Sequence, residues 1–172
     1  MKNGKKILLI LLSAILCLGT LLMAGCGGNE QPDDEEEVSP FAVYWNGTVI
    51  ELGENADAAL SRLGTPISQN NAGDCGGFGA VVRYEFSSFY MYVLENDEGS
   101  TVDEIAFRDD LVETAAGVTI GSSESTVTEK YGNPSDTEGK WRYYREKGGH
   151  RQIGFEIEDG KVVSVDLIWI SE

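Results

Sequence analysis

The chain is poor in the residues that most often carry chemistry, with one histidine, three cysteines and four prolines in 172 residues. A single histidine excludes a histidine-pair metal site, and three cysteines beside it leave neither a zinc cluster nor a disulfide framework. Cations are also scarce, 13 Lys+Arg against 29 Asp+Glu, for a formal net charge of −16. The phosphate backbone repels a chain of that sign, which excludes nucleic-acid binding as a main activity. No G-x-S-x-G elbow is present to place a serine nucleophile beside His150. Asp74-Cys75-Gly76-Gly77-Phe78-Gly79 is glycine-rich but lacks the Lys-Ser/Thr of a phosphate loop, and reads as a flexible connection. Glu95-Asn96-Asp97-Glu98-Gly99 lacks the carboxylate spacing of a calcium loop and reads as a solvated strand connection. The sequence thus shows no recognisable catalytic, metal or cofactor motif, and a non-enzymatic protein is expected.

The one long hydrophobic run lies at the N-terminus. Lys2, Lys5 and Lys6 precede a nearly all-apolar stretch that closes on Leu22-Met23-Ala24-Gly25-Cys26. This is the three-part order of a secretory signal. Its small residues directly before a cysteine resemble the lipobox of bacterial lipoproteins, which implies cleavage after residue 25 and acylation of Cys26. Residues 1–25 are then a signal peptide, and the mature chain is held at the extracytoplasmic face of the cell membrane through a lipid on Cys26. The alternative is an uncleaved anchor, because Ile7 to Ala24 is about the shortest apolar run that spans a bilayer. Residues 26–40 follow with Glu30, Asp33, Asp34, Glu35, Glu36 and Glu37 and no large apolar residue except Val38. Such a segment cannot bury enough apolar surface to offset its conformational entropy, so it reads as an acidic disordered tether.

The remainder resembles itself. At a constant offset of 68, Gly53 falls on Gly121, Gly64 on Gly132 and Pro66 on Pro134. Each copy reads as a short helix, capped by Asn55 in the first and by Ser122 or Ser123 in the second, with Asp57 or Glu124 in the first turn. Strands are expected at Val43–Trp45 and Thr48–Ile50 around Asn46-Gly47, then at Val82–Phe86, Phe89–Leu94 and Val102–Arg108. A second set runs Trp141–Arg145, Gln152–Glu158 and Lys161–Ile170, the last two joined by Asp159-Gly160. The predicted class is therefore α+β, with two tandem repeats, each a short helix packed on an antiparallel meander, over residues 41–115 and 116–172. The predicted core faces hold Val82, Tyr84, Phe86, Ile105 and Phe107 in one half, and Tyr143, Ile153, Phe155, Ile157, Val163, Val165 and Leu167 in the other. Arg83, Glu85, Glu104, Arg108, Arg142, Tyr144, Glu156, Glu158 and Asp166 fall opposite.

A helix, a G-x-P, and a meander ending in Asp159-Gly160-Lys161-Val162-Val163-Ser164-Val165 together resemble the tandem repeats of the β-lactamase inhibitory protein fold and of outer-membrane assembly lipoproteins of the SmpA/OmlA type. Ile50-Glu51-Leu52-Gly53 with Ala56, Asp74-Cys75 with Phe78-Gly79, Tyr84-Glu85-Phe86 and the stretch from Asp109 to Gly121 look like a group of uncharacterised lipoproteins of Gram-positive gut bacteria. The first resemblance implies inhibition of a β-lactamase or a cell-wall peptidase as one function.

What remains as a candidate site is a surface. With Phe89, Met91 and Val93 inward, Tyr90 and Tyr92 face out beside Arg142 and Tyr144, and exposed tyrosine with arginine suits recognition of a protein or peptide. The plainer alternative makes them ordinary cross-strand pairs, or residues covered by the chain's own N-terminal hairpin. A rival from another class is a thiol-dependent enzyme using Cys75 as nucleophile and His150 as base.

Overall fold

Alternation of inward apolar with outward residues in Val82 to Phe86 and Phe89 to Leu94 sets the architecture. In the computed structural model, which describes residues 38–74, 77 and 79–170, these segments lie side by side in one large antiparallel sheet. The described elements are β1 (Val43–Trp45), β2 (Thr48–Ile50), α1 (Ala56–Leu63), β3 (Ser68–Asp74), β4 (Ala80–Glu85), β5 (Phe89–Asn96) and β6 (Gly99–Phe107). They continue with β7 (Glu113–Thr114), α2 (Glu124–Tyr131), β8 (Asp136–Glu138), β9 (Trp141–Arg145), β10 (Arg151–Glu158) and β11 (Lys161–Trp169). The large sheet has the order β3-β4-β5-β6-β11-β10-β9-β8, and β2-β1-β7 form a small second sheet.

This corrects the expected α+β class with two helix-plus-meander repeats. Strand occupies 50% and helix 12% of the described residues, which form a β-rich, mostly antiparallel fold. Two physical causes account for the difference. Strands β6 and β11 pair through Ala106↔Asp166, Ile105↔Leu167 and Glu104↔Ile168, which joins both halves in one sheet. Polar segments without alternation, Ser68–Asp74 and Asp136–Glu138, add its two edge strands. An edge strand has one neighbour and needs no apolar face, so composition does not announce it.

The helices start where a side chain can cap them. Asn55 Oδ1 accepts from Ala58 N at 2.9 Å and Ser123 Oγ from Thr126 N at 3.1 Å, and the helices end on Gly64 and Gly132 at φ of 81° and 78°. Each helix start is also tied to the last strand of its half. Gly53 N donates to Val102 O at 2.8 Å and Val102 N to Glu54 O at 3.0 Å; Gly121 N donates to Val162 O at 2.8 Å and Val162 N to Ser122 O at 2.9 Å. The correspondence at offset 68 is thus visible as the same pair of backbone hydrogen bonds.

Helices and small sheet cover one face of the large sheet. Phe89, Met91, Ile105, Phe155 and Leu167 from the large sheet are fully buried against Val43, Ile50, Ala56, Ala59 and Val127. Trp45 sets its edge on Phe86 and Phe89 with ring centres 5.8 and 5.3 Å away. Each such large side chain contributes about 1.5–3 kcal/mol when removed from water, so the covered face holds the fold. Two-residue turns at Asn46-Gly47 and Asp159-Gly160 have positive φ at both positions, as the twist of a tight hairpin requires. Val163, expected in the core, is 39% exposed, and Val162 is buried in its place. A bulge between Glu156 and Ile157 in the β10–β11 pairing leaves Val163 as the extra residue and shifts the phase.

Candidate functional site

Strand periodicity leaves the second face of the large sheet with its own set of side chains, and no described element covers it. One row of directly opposed residues runs Tyr90, Ala106, Asp166, Gly154, Tyr143 across β5, β6, β11, β10 and β9. At about 4.8 Å between strands, the two tyrosine positions stand about 19 Å apart. The adjacent row runs Arg83, Tyr92, Glu104, Ile168, Gln152, Arg145. Small and acidic residues in the middle are therefore flanked by aromatic residues on both sides. Trp141 and Tyr143 stack nearly parallel, with ring centres 6.0 Å apart at 7°. A methyl group on Gly154 would stand 3.0 Å from Tyr143 Cε1 and 3.2 Å from Trp141 Cε3, so both rings lean over this glycine. A recess of about 310 Å³ opens between Asn70, Asn71, Ala72, Arg83 and Tyr92 at the β3 margin.

Charge on the face is segregated. Arg83 and Arg108 lie over the Tyr90 ring, 4.9 and 4.8 Å from its centre, and Arg108 also donates to Glu85 Oε1 and to Phe86 O, each at 2.9 Å. Arg145 donates to Gln152 Oε1 at 2.8 Å. Glu104 and Asp166 are diagonal neighbours across the β6–β11 pairing and make no hydrogen bond or ion pair among the described residues. Partial burial, with Asp166 and Asp103 nearby, pushes the Glu104 carboxyl up to about 7. Burial raises Asp166 as well, and Glu156 adds to it.

The four residues expected to form one surface are divided between the two faces. Tyr90 and Tyr92 project from β5 to the open face, half-buried. Tyr144 is 4% exposed and lies on the covered face, its ring 5.4 Å from Tyr131 and 5.8 Å from Phe155. Arg142 shares that face, where its Nε pairs with Glu124 Oε1 of α2 at 3.2 Å. Tyr143, expected inside, is the tyrosine that faces out. The reason is the composition of β9, Trp-Arg-Tyr-Tyr-Arg, which places an aromatic and an arginine on either face and leaves the phase to its neighbours. Tyr131 and Phe155 offer a buried site for one ring, and Gly154 offers room on the open side for the other. A lone glycine within the apolar run of β10 was the available signal, since it marks close approach of another group.

His150 donates from Nδ1 to Ile170 O at 3.0 Å and stacks on Trp169 with ring centres 5.1 Å apart. Cys75, its proposed partner in a thiol enzyme, lies outside the described residues, as do Cys26, the signal segment and the tether through residue 37. Among the described residues there is no group of three or more His, Cys, Asp or Glu side chains able to hold a metal, and no helix long and apolar enough to cross a membrane. No protein-family model, curated protein or solved structure matches the chain.

Proposed function

We propose that this chain is a lipid-anchored extracytoplasmic module, held to the cell membrane through Cys26, that binds a protein or peptide through the open face of its large sheet and performs no catalytic step. The observation that carries the reading is the asymmetry of that sheet. One face is sealed by two helices and a three-stranded sheet, while the other presents Tyr90, Tyr92, Trp141 and Tyr143 with no described element over them. Aromatic side chains supply large contact area at low entropic cost, and they dominate binding surfaces for that reason. Inhibition of an extracytoplasmic hydrolase is one form this binding would take.

The experiment is photocrosslinking in the native cell, with the crosslinking residue placed at position 92 on the open face or at Glu129 on α2. A partner joined at 92 and absent at 129, whose purified form binds the chain and loses that binding when Tyr90 and Tyr143 become serine, supports the reading. Equal labelling at both positions, or binding indifferent to the tyrosines, removes it. Release of the protein into the medium on Cys26→Ser tests the anchor.

A further inference from the structure

We propose that the occupant of the open face is an extended basic segment of a partner protein, whose lysine or arginine side chains sit between the Tyr92 side and the Trp141–Tyr143 side, above Glu104 and Asp166. This rests on the binding reading above and adds the chemistry of the partner.

Charge complementarity comes first. Glu104 and Asp166 converge on the middle of the face with no cation paired to either among the described residues, and their close charged neighbours, Asp103 and Glu156, are acids too. Two partly buried carboxylates side by side are unfavourable alone, and an arriving cation relieves that repulsion. The face already shows how it holds a cation. Arg83 and Arg108 stack over Tyr90 at 4.9 and 4.8 Å, the geometry in which a ring attracts positive charge. Among the described residues no arginine or lysine lies over Tyr92, Trp141 or Tyr143, and the last two form a flat aromatic platform at the other side of the acids.

Spacing then separates a peptide from a small amine. The tier of Tyr90 and Asp166 and the tier of Tyr92 and Glu104 are two residues apart along their strands, about 6.8 Å. Alternate side chains of an extended peptide have the same spacing, so a segment lying along the strands places successive basic residues on successive tiers. Net charge excludes two other occupants. A second copy of a chain at −16 is repelled, and so is the chain's own acidic tether.

The test uses the full chain and a fluorescein-labelled octapeptide of alternating lysine and serine, read by fluorescence anisotropy at low salt and pH 8. An octapeptide of alternating glutamate and serine and free spermine are the controls. Glu104→Gln/Asp166→Asn and Tyr92→Ser/Tyr143→Ser should each weaken the lysine peptide about tenfold or more, while a tether variant with Asp33→Asn, Asp34→Asn and Glu35→Gln should bind as the parent does. Near-ultraviolet circular dichroism of each variant verifies that the sheet is intact. Loss of binding in the tether variant with retention in both face variants overturns the proposal, as does absence of binding or spermine binding as tightly as the peptide. If crosslinking at position 92 still finds a partner that depends on Tyr90 and Tyr143 while the lysine peptide does not bind, the face is a binding site and the basic segment is wrong. If both fail, the binding reading falls with it.

Discussion

Tyr143 lies against Gly154, with ring carbons 3.0 and 3.1 Å from where a Cβ on residue 154 would stand. The glycine is what lets an aromatic ring lie down on the open face instead of standing away from it. Gly154 does not occupy the left-handed region, so alanine there meets a packing problem and no backbone strain. Gly154→Ala should leave stability within about 1 kcal/mol of the parent, because reduced freedom of the unfolded chain offsets the contact and the ring can swing into solvent. Tryptophan fluorescence should nevertheless shift as Tyr143 is lifted and Trp141 with it. An unchanged spectrum would show that the ring is not held by this contact.

The two glycines related by the 68-residue offset should behave differently. Both Gly53 and Gly121 have positive φ, 80° and 90°, which costs any other residue about 1 kcal/mol. At Gly121 a Cβ meets nothing within 4 Å, whereas at Gly53 it would press into the Trp169 ring, 2.7 Å from Cη2 and 2.8 Å from Cε3. Gly121→Ala should therefore cost about 1 kcal/mol and Gly53→Ala about 2–4 kcal/mol by urea denaturation. Equal costs would mean that Trp169 is free to move off Gly53.

Placement of Tyr143 and Tyr144 of β9 on opposite faces has a direct thermodynamic signature. Tyr144 is buried among Tyr131 and Phe155, so Tyr144→Ala should cost about 3–4 kcal/mol. Tyr92→Ala and Tyr143→Ala, on the open face, should each cost about 1 kcal/mol or less. The reverse order would restore the phase of β9 expected from sequence.

Stability should depend on pH through Glu104. Its folded-state carboxyl titrates near 7 against an ordinary 4.5, so the folded chain binds more protons than the unfolded chain between those values. Stability from this group is full below about 4.5 and is lost as pH rises through about 7. Asp166 is raised by burial and by Glu156, and acts in the same direction. The arginines of this half, Arg83 and Arg108, are committed to Tyr90 and do not oppose it. Glu104→Gln should raise stability at pH 8 by on the order of 1–2 kcal/mol, allowing for solvent screening, and change it little at pH 4. Urea midpoints of parent and variant at the two pH values decide this, and parallel curves would contradict it.

Legibility of the chain followed local physics. Asn46-Gly47 and Asp159-Gly160 announced tight hairpins because only a few residues accept the left-handed conformation. Asn55 and the paired glycines Gly64 and Gly132 marked helix ends for the same kind of reason. The outward phase of Tyr90 and Tyr92 followed from strict alternation with Phe89, Met91 and Val93. Where alternation fails, the reading failed. Trp141–Arg145 is aromatic on both faces, and Val163 sits at a bulge that no residue type advertises.

The sequence by itself determined both helices, the tight hairpins and the alternating strands of this protein, along with its acidic charge, because capping, turn geometry and side-chain alternation act over a few residues. Tertiary structure decided what those elements build. Pairing of β6 with β11, whose partners such as Ala106 and Asp166 lie far apart in the chain, turns two meanders into one sheet and sets Glu104 beside Asp166. The burial available beside Tyr131 and the space above Gly154 chose which tyrosine of β9 faces outward. Contacts of that kind depend on residues far apart in the chain, and only the assembled sheet brings their energies together.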